Sequence, residues 1–252
     1  MMTPWIAELL GTMLLILLGN GVVANVVLKG TKGFDSGWIV ISAGWGIAVY
    51  VAVLCTTDSS GAHLNPAVTI GLVAAGKFSS SEMPAYILAQ FAGAMLGAAA
   101  VRLMYAKHYE VTDDAGAKLA TFCTTPNIRS LPNNLVSELI GTFVLVFAAL
   151  SITGGVIDLK GIGGRTEAEP VLVGLGSVGA LPIGLVVFGI GLSLGGTTGY
   201  AINPARDLGP RIMHQLLPIP GKRSSDWSYA WVPVIGPIVG ALVAAWLHSR
   251  LT

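Results

Sequence analysis

Charge is what this sequence has least of. Its 14 Lys and Arg and 13 Asp and Glu make up only 11% of 252 residues. A soluble domain carries about 25% charged residues, and so few charges cannot cover the surface of a soluble protein of this size. The formal net charge is +1, which gives no case for a nucleic-acid partner or an acidic one. Reactive side chains are also scarce. The two cysteines, Cys55 and Cys123, sit in no metal-binding or redox spacing. The four histidines, His63, His108, His214 and His248, have no companion ligands at metal-site spacing. No nucleophile–base pair or phosphate-binding loop appears. An enzyme is therefore disfavoured, and no cofactor or metal is expected.

What the chain has in abundance is apolar length. Hydrophobic residues make up 53% and the mean hydropathy is +0.73. Charge-free stretches run over Leu9–Leu28, Ser36–Thr57, Met83–Val101, Leu139–Ile157, Val171–Ala205 and Trp227–Ser249. About 20 apolar residues cross a bilayer as helix. Leu9–Leu28 is longer than the apolar region of a signal peptide and lacks a basic leader, so it reads as a retained span. Ser59–Gly76 is also uncharged, but Asn65–Pro66 interrupts it, and the rest reaches only about half the membrane. The long stretch to Ala205 breaks in the same way at Asn203–Pro204. The expected fold is an all-α membrane protein, a single channel domain over residues 1–252. It has six transmembrane helices and two half-membrane re-entrant helices.

The chain also repeats itself. Ala7-Glu8-Leu9-Leu10-Gly11-Thr12 matches Ser137-Glu138-Leu139-Ile140-Gly141-Thr142, and Gly61-Ala62-His63-Leu64-Asn65-Pro66-Ala67 matches Gly199-Tyr200-Ala201-Ile202-Asn203-Pro204-Ala205. Small residues recur at four-residue spacing in Phe91–Gly97 and Val234–Gly240, as close helix packing in membranes requires. The halves are about 1–106 and 135–252, joined by loop 107–134. Three full spans per half is an odd number, so the repeat must be inverted. The two half helices then enter from opposite faces and meet near the midplane, where non-helical backbone is tolerated only around a cavity or inside protein.

Asn as N-cap followed by Pro is an ordinary helix start. Two copies 138 residues apart (Asn65 and Asn203), each in an equivalent apolar setting, are not ordinary. His63-Leu64-Asn65-Pro66-Ala67-Val68-Thr69 and Asn203-Pro204-Ala205-Arg206-Asp207-Leu208-Gly209-Pro210-Arg211 resemble the two signature segments of the major intrinsic protein (aquaporin) family. The resemblance implies one pore per subunit, a homotetramer and cytoplasmic termini. The positive-inside rule would instead put the side bearing Lys29, Lys32, Lys107, Lys118, Arg129, Lys222 and Arg223 in the cytoplasm. That bias is small, and the same side holds Glu110, Asp113 and Asp114, so the expectation follows the resemblance.

The Asn65 and Asn203 amides can donate to a solute oxygen. The carbonyls of Gly61, Ala62 and His63, and of Gly199, Tyr200 and Ala201, can accept from its hydroxyls. Two helix N-termini at one point oppose cations and protons. Carried over by position, the family's selectivity filter falls on Trp45, Gly191, Tyr200 and Arg206. Water-selective relatives place His where this chain has Gly191, so Gly191 is expected to leave room. Trp45 and Tyr200 would face the carbons of a polyol and Arg206 its hydroxyls. The Tyr200 hydroxyl, where Phe is frequent, could narrow the pore or add a polar contact. Asp207 resembles the glycerol-conducting branch, and it also suits the first turn of a helix. Glu8 and Glu138 are acids inside spans. They are expected to scaffold the re-entrant loops rather than to relay protons.

The resulting expectation is a passive channel for glycerol and other small neutral solutes (water, dihydroxyacetone, urea), multi-pass in a bacterial plasma membrane. The alternatives are a water-selective channel of the same fold and a proton-coupled secondary transporter.

Overall fold

A computed structural model describes residues 2–152, 155–158, 170–173 and 175–252. Six helices have the length and apolarity to cross a membrane. In chain order the elements are α1 (Pro4–Val27), α2 (Trp38–Ser60), α3 (Pro66–Ala74), α4 (Met83–Met104), α5 (Ala106–Val111), α6 (Ala115–Ala120), α7 (Leu131–Ser151), β1 (Gly155–Asp158), β2 (Pro170–Val173), α8 (Leu181–Ser193), α9 (Pro204–Leu216) and α10 (Val232–Leu251). A 3-10 turn over Gly176–Ala180 precedes α8 and completes the fifth span. The helices α3 and α9 are the two half helices.

Helix boundaries differ from the charge-free stretches where local chemistry overrides hydropathy. α7 begins at Leu131, eight residues before the apolar run, because Pro132 suits a first turn. It stops at Ser151, before the Gly154-Gly155 pair. Val171–Val173 is strand rather than span, paired antiparallel with Gly155–Ile157. α8 starts at Leu181 with Pro182 in its first turn and ends ahead of Gly195-Gly196. The expected connection over 158–170 lies almost wholly outside the described residues. The loop over 107–134 contains the two short helices α5 and α6.

The two halves pack alike. α1 lies along α4 and α7 along α10, and these are the two most extensive helix pairs. The glycines predicted to permit close contact sit in these seams. A Cβ added at Gly93 would run into the Leu9 carbonyl oxygen, and one at Gly240 into that of Leu139. Leu9 and Leu139 are equivalent positions of the repeat. Backbone cannot yield as a flexible side chain can, so Gly93→Ala should cost about 1–3 kcal/mol. Gly21→Ala, where the added atom meets nothing within 4 Å, serves as control. Thermal unfolding in detergent should separate the two; equal midpoints would refute the seam.

Outward faces are apolar: Leu88, Leu96 and Leu103 on α4, and Ile47 and Leu54 on α2, are exposed. In lipid this is the expected surface. Polar residues instead point inward, with Glu8, Gln90, Glu138, Asp207 and Arg211 all fully buried. The fold therefore gathers these buried polar and charged groups around the half helices.

Candidate conducting pore

The two Asn-Pro-Ala boxes build the centre. Asn65 Oδ1 accepts from Ala67 N at 2.8 Å, which caps α3. Asn203 Oδ1 accepts from Ala205 N at 3.0 Å and Arg206 N at 3.1 Å, which caps α9. Pro66 and Pro204 occupy the first helical positions, where a missing N–H costs nothing. The side-chain nitrogens cross over. Asn65 Nδ2 donates to Ile202 O, and Asn203 Nδ2 donates to Leu64 O, both at 2.8 Å. Each amide has two N–H groups, so one remains for a solute. Sequence reasoning offered both amides to solute; it missed this reciprocal tie, since nothing in the motif shows which carbonyls lie opposite.

The segments entering the boxes are bent in the same way. Gly61, Ala62 and Leu64 have φ of 77°, 51° and 51°, and Gly199, Tyr200 and Ile202 have 84°, 37° and 43°. Four of these six are not glycine, and such a conformation costs roughly 1–3 kcal/mol each. Two buried carboxylates hold it. Glu8 Oε1 accepts from Ser60 Oγ (2.7 Å) and His63 N (2.9 Å), and its Oε2 accepts from Leu64 N (2.7 Å) and Gln90 Nε2 (2.8 Å). Glu138 Oε1 accepts from Thr198 Oγ1 (2.7 Å) and Ala201 N (3.0 Å), and its Oε2 accepts from Ile202 N (2.8 Å). With the N–H groups turned to the acids, no donor among the described residues reaches the carbonyls of Gly61, Ala62, His63, Gly199, Tyr200 or Ala201. His63 joins Phe78 and Tyr86 in an aromatic cluster and meets Thr69 Oγ1 at 3.2 Å.

Two cavities flank this centre. One, of about 280 Å³, is lined by Val49, Val53, Leu145 and Val187 and by residues 61–65 and 200–203. The second, of about 600 Å³, opens among Thr124, Asn127, Thr197 and Arg223. The residues common to both are Trp45, Tyr200 and Arg206. These three therefore form the partition between the cavities. The Arg206 guanidinium lies 4.2 Å from the centre of the Trp45 ring, within cation–π range. No carboxylate pairs with it among the described residues, because Asp207 is engaged elsewhere.

Gly191 departs from expectation. It lines neither cavity. A Cβ there would lie 3.0 Å from Ser42 Oγ and 3.0 Å from Tyr200 Cζ. The room left by Gly191 is thus occupied by the Tyr200 ring and not by open pore. Tyr200 is also braced by Trp38, edge to face at 5.7 Å, whose Nε1 donates to Gly191 O at 2.9 Å. The Tyr200 hydroxyl is buried, so it does not narrow the passage.

Asp207 lies in the first turn of α9 but spends its oxygens on tertiary structure. Oδ2 accepts from the Thr124 backbone N–H and hydroxyl, both at 2.7 Å, and Oδ1 accepts from Arg211 Nε at 2.9 Å and Nη2 at 2.7 Å. Arg211 reaches on to the carbonyls of Ser225 (2.7 Å) and Thr124 (2.9 Å). The pair thereby clasps two loops beside the larger cavity. Only the spacing Asp207–Arg211, one helical turn, could have signalled this in the sequence. Cys123, next to Thr124, is buried, and burial pushes its thiol well above the ordinary range; it is no nucleophile.

Comparison with known proteins agrees with this geometry. The family model described as "Major intrinsic protein" matches residues 1–248. A protein of Thermotoga maritima named "Probable glycerol uptake facilitator protein" is 54% identical over 99% of this chain and 100% of its own. The "Glycerol uptake facilitator protein" of Streptococcus pneumoniae strain R6 is 53% identical over 99% of each. Among solved structures, the aquaglyceroporin from Plasmodium falciparum superposes with a TM-score of 0.80 at 32% identity, over 98% of this chain and 95% of that one. The motifs, the inverted pair of half helices and these matches lead to one conclusion: the chain belongs to the major intrinsic protein family.

Proposed function

We propose that this chain is a passive channel for glycerol and similarly small uncharged solutes in the bacterial plasma membrane, with some water permeability. The observation that carries the reading is the partition between the two cavities. Its lining is amphipathic in the way a polyol is: the Trp45 and Tyr200 rings suit a carbon backbone, and Arg206 suits hydroxyl oxygens. The free carbonyls on either side give hydroxyl donors a succession of acceptors. The helix N-termini of α3 and α9 and the Arg206 charge together repel cations and hydronium. In this reading Trp45, Tyr200 and Arg206 form the filter, with Gly191 seating Tyr200. Asn65 and Asn203 supply the central donors, while Glu8 and Glu138 are scaffolds. We also infer a homotetramer, the assembly that the family resemblance implies, with a pore in each subunit. Dihydroxyacetone and urea fit the same chemistry.

Stopped-flow light scattering on proteoliposomes tests this, with water and glycerol compared in one preparation. Fast glycerol flux that does not saturate and ignores a pH gradient is the expected result. Fast water flux with negligible glycerol flux would overturn it in favour of a water channel. Saturable, pH-dependent uptake would overturn it in favour of a coupled transporter.

A further inference from the structure

Beside Gly191, which lines neither cavity, two buried hydroxyls lie near the same point. Ser42 lies on α2 one turn before Trp45, and its Oγ is fully buried. Gly191 borders both: a Cβ there would lie 3.0 Å from Ser42 Oγ and 3.0 Å from Tyr200 Cζ, the carbon that carries the hydroxyl. Each oxygen is sealed from solvent, and neither makes a hydrogen bond in the structure. A buried hydroxyl without a partner is costly, so two neighbouring ones are driven to bond each other. The surroundings permit little else. The Tyr200 ring is hemmed by the backbone of Gly191 and Gly195 and by Trp38.

We propose that Ser42 is a positioning residue for solute selection: its hydroxyl anchors the Tyr200 hydroxyl behind the filter, so that tyrosine presents only its ring to the solute. The inference rests on the glycerol-channel reading and adds a residue that does not touch the solute. Its logic is polarity. Free to turn, the Tyr200 hydroxyl would seek the Arg206 side of the passage, where it would offer water a hydrogen bond and take space from glycerol carbons. Held by Ser42, it leaves the pore wall as apolar as phenylalanine would. Ser42 also ties the filter's two aromatic residues together, since the helix that carries Trp45 carries the anchor for Tyr200.

The test is a mutant cycle in proteoliposomes. Ser42→Ala removes the anchor and leaves the tyrosine hydroxyl stranded. Glycerol permeability should fall about three- to tenfold, with water permeability kept or raised. The double variant S42A/Y200F should recover glycerol flux, because nothing is left to swing inward. A purely structural role for Ser42 would not produce that rescue. Unchanged selectivity in Ser42→Ala, or a double variant no better than Ser42→Ala, would each overturn the inference. If the unmutated protein conducts no glycerol, the channel reading itself fails, and the two failures are thus distinguishable.

Discussion

Glu138→Ala is expected to lower stability by on the order of 3–5 kcal/mol and to reduce glycerol flux to the background of empty vesicles. The substitution takes the acceptor from three donors at once. The N–H groups of Ala201 and Ile202 and the Thr198 hydroxyl are buried and have no evident substitute. Each stranded donor costs about 1–3 kcal/mol, reduced where the loop can relax. The same bonds hold Tyr200 and Ile202 at positive φ, so relaxation is what the pore cannot tolerate: carbonyls now free along the passage would turn back to these donors. Glu138→Gln retains the shape and one acceptor oxygen. It should lie between the parent and the alanine variant in both thermal midpoint and flux. A Glu138→Ala variant with parental stability and flux would remove the acid from the scaffold.

Asp207→Ala should be comparably damaging, by about 3–5 kcal/mol, for a different reason. It leaves Arg211, itself 0% exposed, as a buried cation without its carboxylate. Removing one partner of a buried pair costs far more than removing both. A double variant, Asp207→Ala with Arg211→Met, should therefore recover part of the thermal midpoint lost by the single one. It should not recover all of it, because Arg211 also donates to the Ser225 and Thr124 carbonyls. High salt should barely alter the difference between variants, as neither charge meets solvent. Additive losses in the double variant would mean that the two residues act independently.

These two sites show how far the sequence could be read. Duplicated Asn-Pro-Ala boxes and the acids Glu8 and Glu138 stand at matching positions of a repeat, and repetition is visible in one dimension. Beside the boxes, the non-glycine positions with positive φ obey the boxes' own 138-residue offset, Ala62 with Tyr200 and Leu64 with Ile202. Their conformation could not be read, because three of them are apolar residues that rarely adopt it. What lies outside the repeat stayed hidden. Thr69 and Asp207 are equivalent by that offset, yet the Thr69 hydroxyl meets His63 and Gln90, whereas the Asp207 carboxylate binds Thr124 and Arg211. Ser42 carried no signal at all, since a serine in a span usually bonds its own helix. Gly191 was found by position, but its role depends on a ring that approaches from another element. Hydropathy placed every span, yet missed the ends of α7 and α8, where proline and glycine decide.

The reciprocal bonds of Asn65 and Asn203 bear on the kind of machine this is. A carrier works by letting its two halves part on one side and then on the other. Here each half is fastened to the other at mid-depth, Asn65 to Ile202 and Asn203 to Leu64. Parting them would break both of these bonds once in every cycle. A fastened middle suits a fixed conduit, through which matter moves as quickly as its gradient drives it. Nothing in such a conduit can convert stored energy into direction, so the concentration difference across the membrane alone decides which way the solute flows.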